Sequence, residues 1–134
     1  ESLLRRYEKA NVAFSTPLLR MDKVVEQCSA VICHAGGITD IALEVGKPVL
    51  LLPTQMEQTM TSHQVEALGA GLFFPLDGNP GVFPKLIKQL LGDSRLGTRA
   101  TEYAASLSCT DQSKALDRIV DACERLLAGS CAPS

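Results

Sequence analysis

The residues of this chain that could do chemistry are concentrated between positions 34 and 58, and the first group surrounds a glycine pair. His34 and Thr39 flank Gly36 and Gly37. The glycines let the backbone turn sharply and approach a ligand without a Cβ in the way. The first N–H groups of a following helix have no intrahelical partner and attract anions. With an imidazole and a hydroxyl on the same rim, this stretch predicts a phosphate or diphosphate site, or alternatively a tight strand-to-helix turn with a capping His34.

A second polar group, Glu57 and Gln58, follows an apolar run and Thr54. A carboxylate accepts hydrogen bonds, whereas an amide both accepts and donates them. An acid in the first turn of a helix also favours the helix dipole. The pair is therefore consistent with a ligand contact and with a plain helix start, and the two roles are compatible.

The elements that must position both groups are two short apolar runs, Ser29–Cys33 and Val49–Pro53, with a helix-like segment between them. The order is strand, Gly-rich turn, helix, strand, polar loop. In α/β sheets ligands bind at the carboxyl ends of the strands. We therefore expect an α/β fold with a Rossmann-like parallel sheet, in which both polar groups face one crevice.

The rest of the chain predicts further strands and helices around this unit. We expect strands at 11–15 and 72–74, helices at 1–9, 18–28 and 56–68, and three closing helices, of which the last has apolar residues at i, i+3, i+4 and i+7 spacing. Gly69 is a predicted helix stop, and Asp111 and Gly129 are predicted caps of the last helix. We expect one domain over residues 1–129 and a loose tail at 130–134.

Composition excludes several classes of function. The 134 residues carry a formal net charge of −2 and only 4% aromatic residues, which gives no support for binding nucleic acid by charge or by stacking. No apolar run reaches the roughly 18 residues of a membrane span. The chain begins at Glu1 and not at Met, from which we expect a fragment.

The five cysteines have irregular spacing, without a Cys-x-x-Cys pair or a paired histidine (Cys28, Cys33, Cys109, Cys123 and Cys131). This pattern favours a reducing, cytoplasmic setting over a disulfide framework, and no metal site is expected. Cys33 lies within a strand pattern, so we interpret it as a core residue.

The whole string resembles one family. His-x-Gly-Gly-x-Thr, then Gly-x-Pro-Val-Leu-Leu-Leu-Pro, then Glu-Gln, then Gln-Val-Glu-Ala-Leu-Gly-Ala-Gly-Leu, is similar to the carboxyl-terminal nucleotide-sugar-binding domain of family 1, GT-B-type (UDP-glycosyltransferase-like) glycosyltransferases. The nearest in pattern are the bacterial enzymes that glycosylate natural products, sterols or lipids. The resemblance is tight over about residues 11–75 and loose beyond them.

The resemblance implies transfer of a sugar from a nucleotide-diphosphate donor, UDP- or dTDP-linked, to an acceptor hydroxyl, with inversion and without metal or other cofactor. It implies that His34, Gly36, Gly37 and Thr39 bind the diphosphate. Glu57 and Gln58 stand where the family has the pair that binds the sugar hydroxyls.

Two further contacts are implied less directly. The loop after strand 11–15 contacts the base in the family, which would place Pro17, Leu18 and Leu19 there, although these residues could also be a plain connection whose leucines cover the core. The family's ribose-binding Glu falls at Ala42, which leaves Asp40 and Glu44 as alternatives, although the sequence favours Glu44 as a solvated residue of the helix.

The resemblance also indicates what the chain lacks. The family domain has six parallel strands, ordered 3-2-1-4-5-6, and this chain supplies about the last four. The first two strands of the sheet are missing. Either strands 11–15 and 29–33 pair directly, or a partner chain fills the gap, or a strand-swapped or paired homo-oligomer completes the sheet. The catalytic base belongs to the missing amino-terminal acceptor domain, so we expect no catalytic residue here and little or no activity alone.

Two other functions remain open at this point. One is a small donor-binding subunit that joins a membrane partner in a two-subunit glycosyltransferase. The other is a non-catalytic Rossmann-like module that binds another nucleotide or a protein.

Overall fold

The computed structural model describes Tyr7, residues 11–108 and residues 112–129. Six helices and three strands follow in the order α1 (Met21–Gln27), β1 (Val31–Cys33), α2 (Gly37–Glu44), β2 (Val49–Leu51), α3 (Met56–Leu68), β3 (Gly71–Phe73), α4 (Phe83–Gly92), α5 (Ser94–Ser108) and α6 (Gln112–Gly129), with a 3-10 turn at Pro80–Val82 before α4. The expected α/β architecture is confirmed.

The three strands form one parallel sheet in the order β1-β2-β3. Val31 pairs with Val49, and Val49 pairs in turn with Gly71. β2 is the central strand and its three residues are fully buried, as expected for a parallel strand covered on both faces.

The strand expected at residues 11–15 is absent, which corrects the estimate of about four strands. Only Val12 forms an isolated bridge, and residues 13–16 have no regular structure. An extended segment becomes a strand only when a neighbour pairs with its backbone groups. Val12 and Phe14 have the apolar spacing of a strand, but both side chains are exposed.

Side chains that alternate along β2 divide the core into two clusters. Val49 and Leu51 belong to a cluster with residues of α1, α2 and α3, whereas Leu50 belongs to a second cluster with Leu90 of α4 and Leu96 of α5. This alternation is the two-residue period of a strand. The sheet is therefore a middle layer between two layers of helix.

Helix bounds agree with the sequence where a strong stop signal is present. α3 spans the predicted residues, and Gly69 after it adopts φ 73°, the left-handed conformation of a helix cap. Gly129 is the last residue of α6 and not a cap beyond it. Asp111, the tail at 130–134, and all of the predicted helix at 1–9 except the helical Tyr7 lie outside the described residues.

Over the described ranges, 11–108 and 112–129 together with Tyr7, none of the helices combines the length and apolar character that crossing a membrane requires.

Candidate functional site

The two polar groups begin side by side at the carboxyl edge of the sheet. Cys33 pairs with Leu51 at the ends of β1 and β2, and the Leu52 N–H donates to the Cys33 carbonyl at 2.7 Å. His34 follows directly on one strand, and the segment that leads to Gln58 follows on the other. Both groups therefore leave the same edge of the sheet, and that they face one crevice stays a prediction.

The sharp turn after β1 is made by Ala35 and not by the glycines. Ala35 has φ 58°, the one non-glycine residue with positive φ in the described part of the chain. Gly36 is extended, with φ −102° and ψ −162°. A non-glycine residue in this region is strained, and such strain concentrates at functional sites. Sequence reasoning missed Ala35, because nothing marks an alanine as left-handed in advance.

The amino end of α2 is open. Gly36 is the N-cap and provides no side-chain hydrogen bond, while the Thr39 N–H donates to the Gly36 carbonyl at 2.8 Å. The N–H groups of Gly37 and Ile38 have no partner among the described residues. A Cβ added at Gly37 would meet nothing within 4 Å. Unpaired donors, the positive end of a helix dipole and empty space together suit an anion.

The His34 imidazole is exposed and lies against Gly36 at this open end. Its Nε2 is 3.7 Å from the place that a Cβ on Gly36 would take. A ring nitrogen that carries hydrogen can donate to an anion. The structure thus brings His34 together with Gly36 and Gly37, as the sequence predicted.

The hydroxyl of Thr39 lies elsewhere than on the expected rim. Thr39 is 1% exposed, and its Oγ1 lies 3.4 Å from the Cys33 Sγ. Thr39 is the third residue of α2 and lies on its buried face, together with Ala42 and Leu43. Its side chain therefore stabilises the turn from within, and Cys33 packs against the core as predicted.

The second group lies in the first turn of α3. The Gln58 Oε1 accepts from the Thr54 N–H at 2.8 Å and from the Thr54 hydroxyl at 3.1 Å. Glu57 is exposed, and its carboxylate has no partner among the described residues. Gln58 thus holds the loop to the helix, and Glu57 is an acid in the first turn, as the helix-start interpretation expects. Neither side chain is fully buried.

The residues predicted near the base and ribose are accessible. Pro17, Leu18 and Leu19 lie on the irregular segment before α1, and Leu18 is fully exposed, so these leucines do not cover the core. Asp40 and Glu44 are exposed one helical turn apart on α2. Ala42, at the position of the family's ribose-binding Glu, is 0% exposed and packs in the core.

One cavity lies at this edge of the sheet, and another lies at the opposite edge. A shallow, mostly apolar hollow of about 260 Å³ lies beside Thr54 (lined by Leu52, Pro53, Thr54, Phe74, Leu76 and Phe83). A larger cavity of about 510 Å³ lies at the other edge, where Gly71 begins β3 and Arg95 and Arg99 begin α5. None of the predicted site residues lines the larger cavity, so its size does not identify it as the site.

Several solved structures share this fold. The spinosyn rhamnosyltransferase SpnG, solved with thymidine diphosphate, is 25% identical over 77% of this chain, with a TM-score of 0.68. The glycosyltransferase VinC, solved with dTDP, is 16% identical over 92%, with a TM-score of 0.74. The glycosyltransferase SnogD from Streptomyces nogalater is 22% identical over 84%, with a TM-score of 0.63.

The fold is that of a partial GT-B glycosyltransferase domain. The aligned part covers 29%, 32% and 30% of SpnG, VinC and SnogD, so this partial GT-B domain corresponds to about a third of each. No protein-family profile matches the sequence, and a search of curated proteins finds no match.

Proposed function

We propose that this partial GT-B domain binds the nucleotide-sugar donor of a glycosyltransferase. The observation that carries the proposal is the open amino end of α2 beside His34, at the same sheet edge as Glu57 and Gln58. A diphosphate fits the unpaired N–H groups of Gly37 and Ile38, and a sugar attached to it extends toward the carboxylate and the amide.

The proposed reaction breaks the bond between the sugar C1 and the diphosphate oxygen and forms a bond from C1 to the acceptor oxygen, with inversion. The bonding electrons leave with the diphosphate, and donors already aimed at that charge stabilise the transition state. His34 and the end of α2 supply such donors. The acceptor proton passes to a base in an amino-terminal acceptor domain, and this part of the protein supplies no catalytic base and turns over little alone.

The remaining contacts of the donor are assigned by position. The exposed Pro17, Leu18 and Leu19 contact the base of a UDP- or dTDP-linked sugar. Asp40 and Glu44 are the acids available for the ribose hydroxyls. Thr39 contributes through the turn that it stabilises, since its hydroxyl is buried. The reaction needs no further cofactor and takes place in the cytoplasm.

The sheet is completed from outside the described residues. β1 has β2 as its one neighbour there, and Ile32 on β1 is 46% exposed. A parallel sheet of this class is covered at its faces and continued at its edges. We propose that the outer edge of β1 pairs with upstream strands of the same protein or with a second copy.

The proposal is tested by titrating the protein with dTDP and UDP, comparing wild type with His34→Ala. We expect the substitution to weaken binding by about 10- to 100-fold, the equivalent of one hydrogen bond to a charged group. His63→Ala is the matched control, because His63 is exposed on α3, where its ring packs against Phe73 of β3. Circular dichroism verifies that each variant is folded.

Equal affinities of the two histidine variants would contradict the proposed diphosphate site and favour a non-catalytic module. The transfer reaction is tested with the natural protein that carries these residues, at its full length. Absence of transfer and of donor hydrolysis with every nucleotide sugar tried would overturn the enzymatic part of the proposal.

A further inference from the structure

The orientation of the Gln58 amide is fixed by Thr54. A backbone N–H can only donate, so the Gln58 atom that lies 2.8 Å from the Thr54 nitrogen must be the oxygen. The Thr54 hydroxyl lies 3.1 Å from the same oxygen and donates to it as well. The assignment of oxygen and nitrogen in this amide therefore follows from the chemistry of its neighbour.

This arrangement leaves one type of hydrogen bond for a ligand. An amide oxygen has two lone pairs, and Thr54 occupies both. The Gln58 NH₂ group has no partner among the described residues, and the residue is half-buried at the sheet edge. Toward the surface Gln58 is therefore a donor, whereas the neighbouring Glu57 carboxylate is an acceptor.

We propose that Thr54 is a positioning residue that fixes Gln58 as a donor, and that the Glu57–Gln58 pair thereby selects the donor sugar by hydrogen-bond polarity. This inference rests on the proposed function. The sugar must present a hydroxyl that donates to Glu57 and an oxygen that accepts from Gln58. A protonated amine at the second position would face the Gln58 donors unpaired, which is how a built site rejects a wrong analogue.

Thr54 is suited to this role by its place in the loop. It is separated from the buried end of β2 only by Leu52 and the buried Pro53, so its backbone is held by the sheet. Its two donors converge on one oxygen at the start of α3. A serine keeps both donors, whereas a valine keeps the shape and loses the hydroxyl.

The experiment compares affinities for dTDP and dTDP-glucose, and for UDP and UDP-glucose, in wild type, Thr54→Val, Thr54→Ser and Gln58→Glu. The ratio of the two affinities in each pair isolates the sugar contribution. We expect Thr54→Val to lower that ratio by about 2- to 10-fold, as for one neutral hydrogen bond, and Thr54→Ser to restore it. Thr98→Val, which removes a hydroxyl bonded to Ser94 on α5, is the matched control.

Gln58→Glu separates the two functions of the side chain. The carboxylate still accepts from Thr54, so thermal stability is kept, but the outward donor is lost and the sugar contribution should fall to that of Glu57. Hydrogen exchange of the Thr54 amide reports the positioning contact without any ligand. It should stay slow in Gln58→Glu and become faster in Gln58→Ala.

The outcomes are separable. If wild type binds none of the four probes, the proposed function fails and this inference fails with it. If wild type binds them and Thr54→Val or Gln58→Glu leaves the affinity ratio unchanged, the inference alone is overturned. A Thr54 amide that exchanges as slowly in Gln58→Ala as in wild type also overturns it.

Discussion

At the scale of single residues, different residues of the turn after β1 bend the backbone and leave open space, although the sequence predicted both roles for the glycines. The backbone conformation is met by Ala35, with φ 58°. The glycines that follow have ordinary conformations, and a side chain at Gly37 would project into empty space. Under the proposed function, Gly37 leaves room for the diphosphate, and the bend of the chain does not require it.

Gly37→Ala tests this explanation. We expect an unchanged or slightly raised thermal stability, because alanine is the better helix former, but a loss of dTDP affinity of about tenfold or more, because the methyl group occupies the ligand's place. Calorimetric titration and thermal unfolding measure the two effects.

Gly97→Ala is the control for Gly37→Ala. Gly97 lies in α5, and a Cβ there also meets nothing within 4 Å. It should raise stability by about 0.5–1 kcal/mol and leave binding unchanged. Equal dTDP affinity in both variants would place the diphosphate elsewhere.

The sequence predicted which residues come together at the end of β1 better than how their side chains are oriented. His34, Gly36 and Gly37 meet at the end of β1 because residue type and order determine a strand-to-helix turn. The inward direction of Thr39 depends on how α2 rotates against the sheet. The role of Thr54 depends on two donors converging on one oxygen. Neither appears as a sequence pattern.

At the scale of elements, an ion pair between Asp93 and Arg95, here called the clasp, lies where α4 ends and α5 begins. The Asp93 Oδ1 accepts from the Arg95 backbone N–H at 3.0 Å, and the Arg95 guanidinium contacts both carboxylate oxygens. The side-chain hydrogen bond from Arg95, followed by its backbone N–H, lowers the pKa of Asp93. The clasp connects α4 to α5 and so helps to align the two helices over the sheet.

Asp93→Asn tests the clasp through pH. Because the folded-state pKa is lowered, the carboxylate stabilises the fold above its unfolded pKa of about 4. That contribution is lost as the pH falls through the lower folded value. Wild type should therefore melt above Asp93→Asn at pH 7, and the difference should shrink as the pH falls below about 4. A difference that does not shrink in acid would contradict the ionic origin.

Elements with a local stop were predictable, and elements that need a partner were not. Gly69 ends α3 through its own left-handed conformation, so the sequence placed that boundary correctly. Residues 11–15 have an equally suggestive apolar pattern, but a strand exists only where another backbone pairs with it. No pattern within the segment can show that the neighbour is absent.

At the scale of the whole molecule, Leu50 packs the sheet against helices α4 and α5. It is fully buried at the centre of the sheet and packs with Leu90 and Leu96. Leu50→Ala should lower the free energy of unfolding by about 2–5 kcal/mol, because it leaves a cavity between sheet and helices. Urea unfolding measures the change.

Leu91→Ala is the matched control, since Leu91 is 67% exposed on α4 next to Leu90. It should change the free energy of unfolding by no more than about 0.5 kcal/mol. Similar losses in both variants would mean that α4 does not pack on the sheet as described.

α6 shows where sequence patterning reaches its limit at this scale. Its apolar spacing correctly predicted a helix, yet its described apolar side chains are exposed (Leu116, Ile119, Val120, Leu126 and Leu127). Amphipathic spacing indicates that a helix has something to bury, without naming the surface that receives it.

The succession of β1, α2, β2 and the start of α3 places both polar groups within residues 34–58 of one chain. Under the proposed function, donor recognition is therefore inherited largely as a single short stretch of gene. A recombination event that exchanged this stretch would transfer the proposed diphosphate-binding and sugar-binding residues together, already placed on neighbouring strands. New donor preferences could then spread among related enzymes by shuffling, with each recipient keeping the acceptor that it already uses.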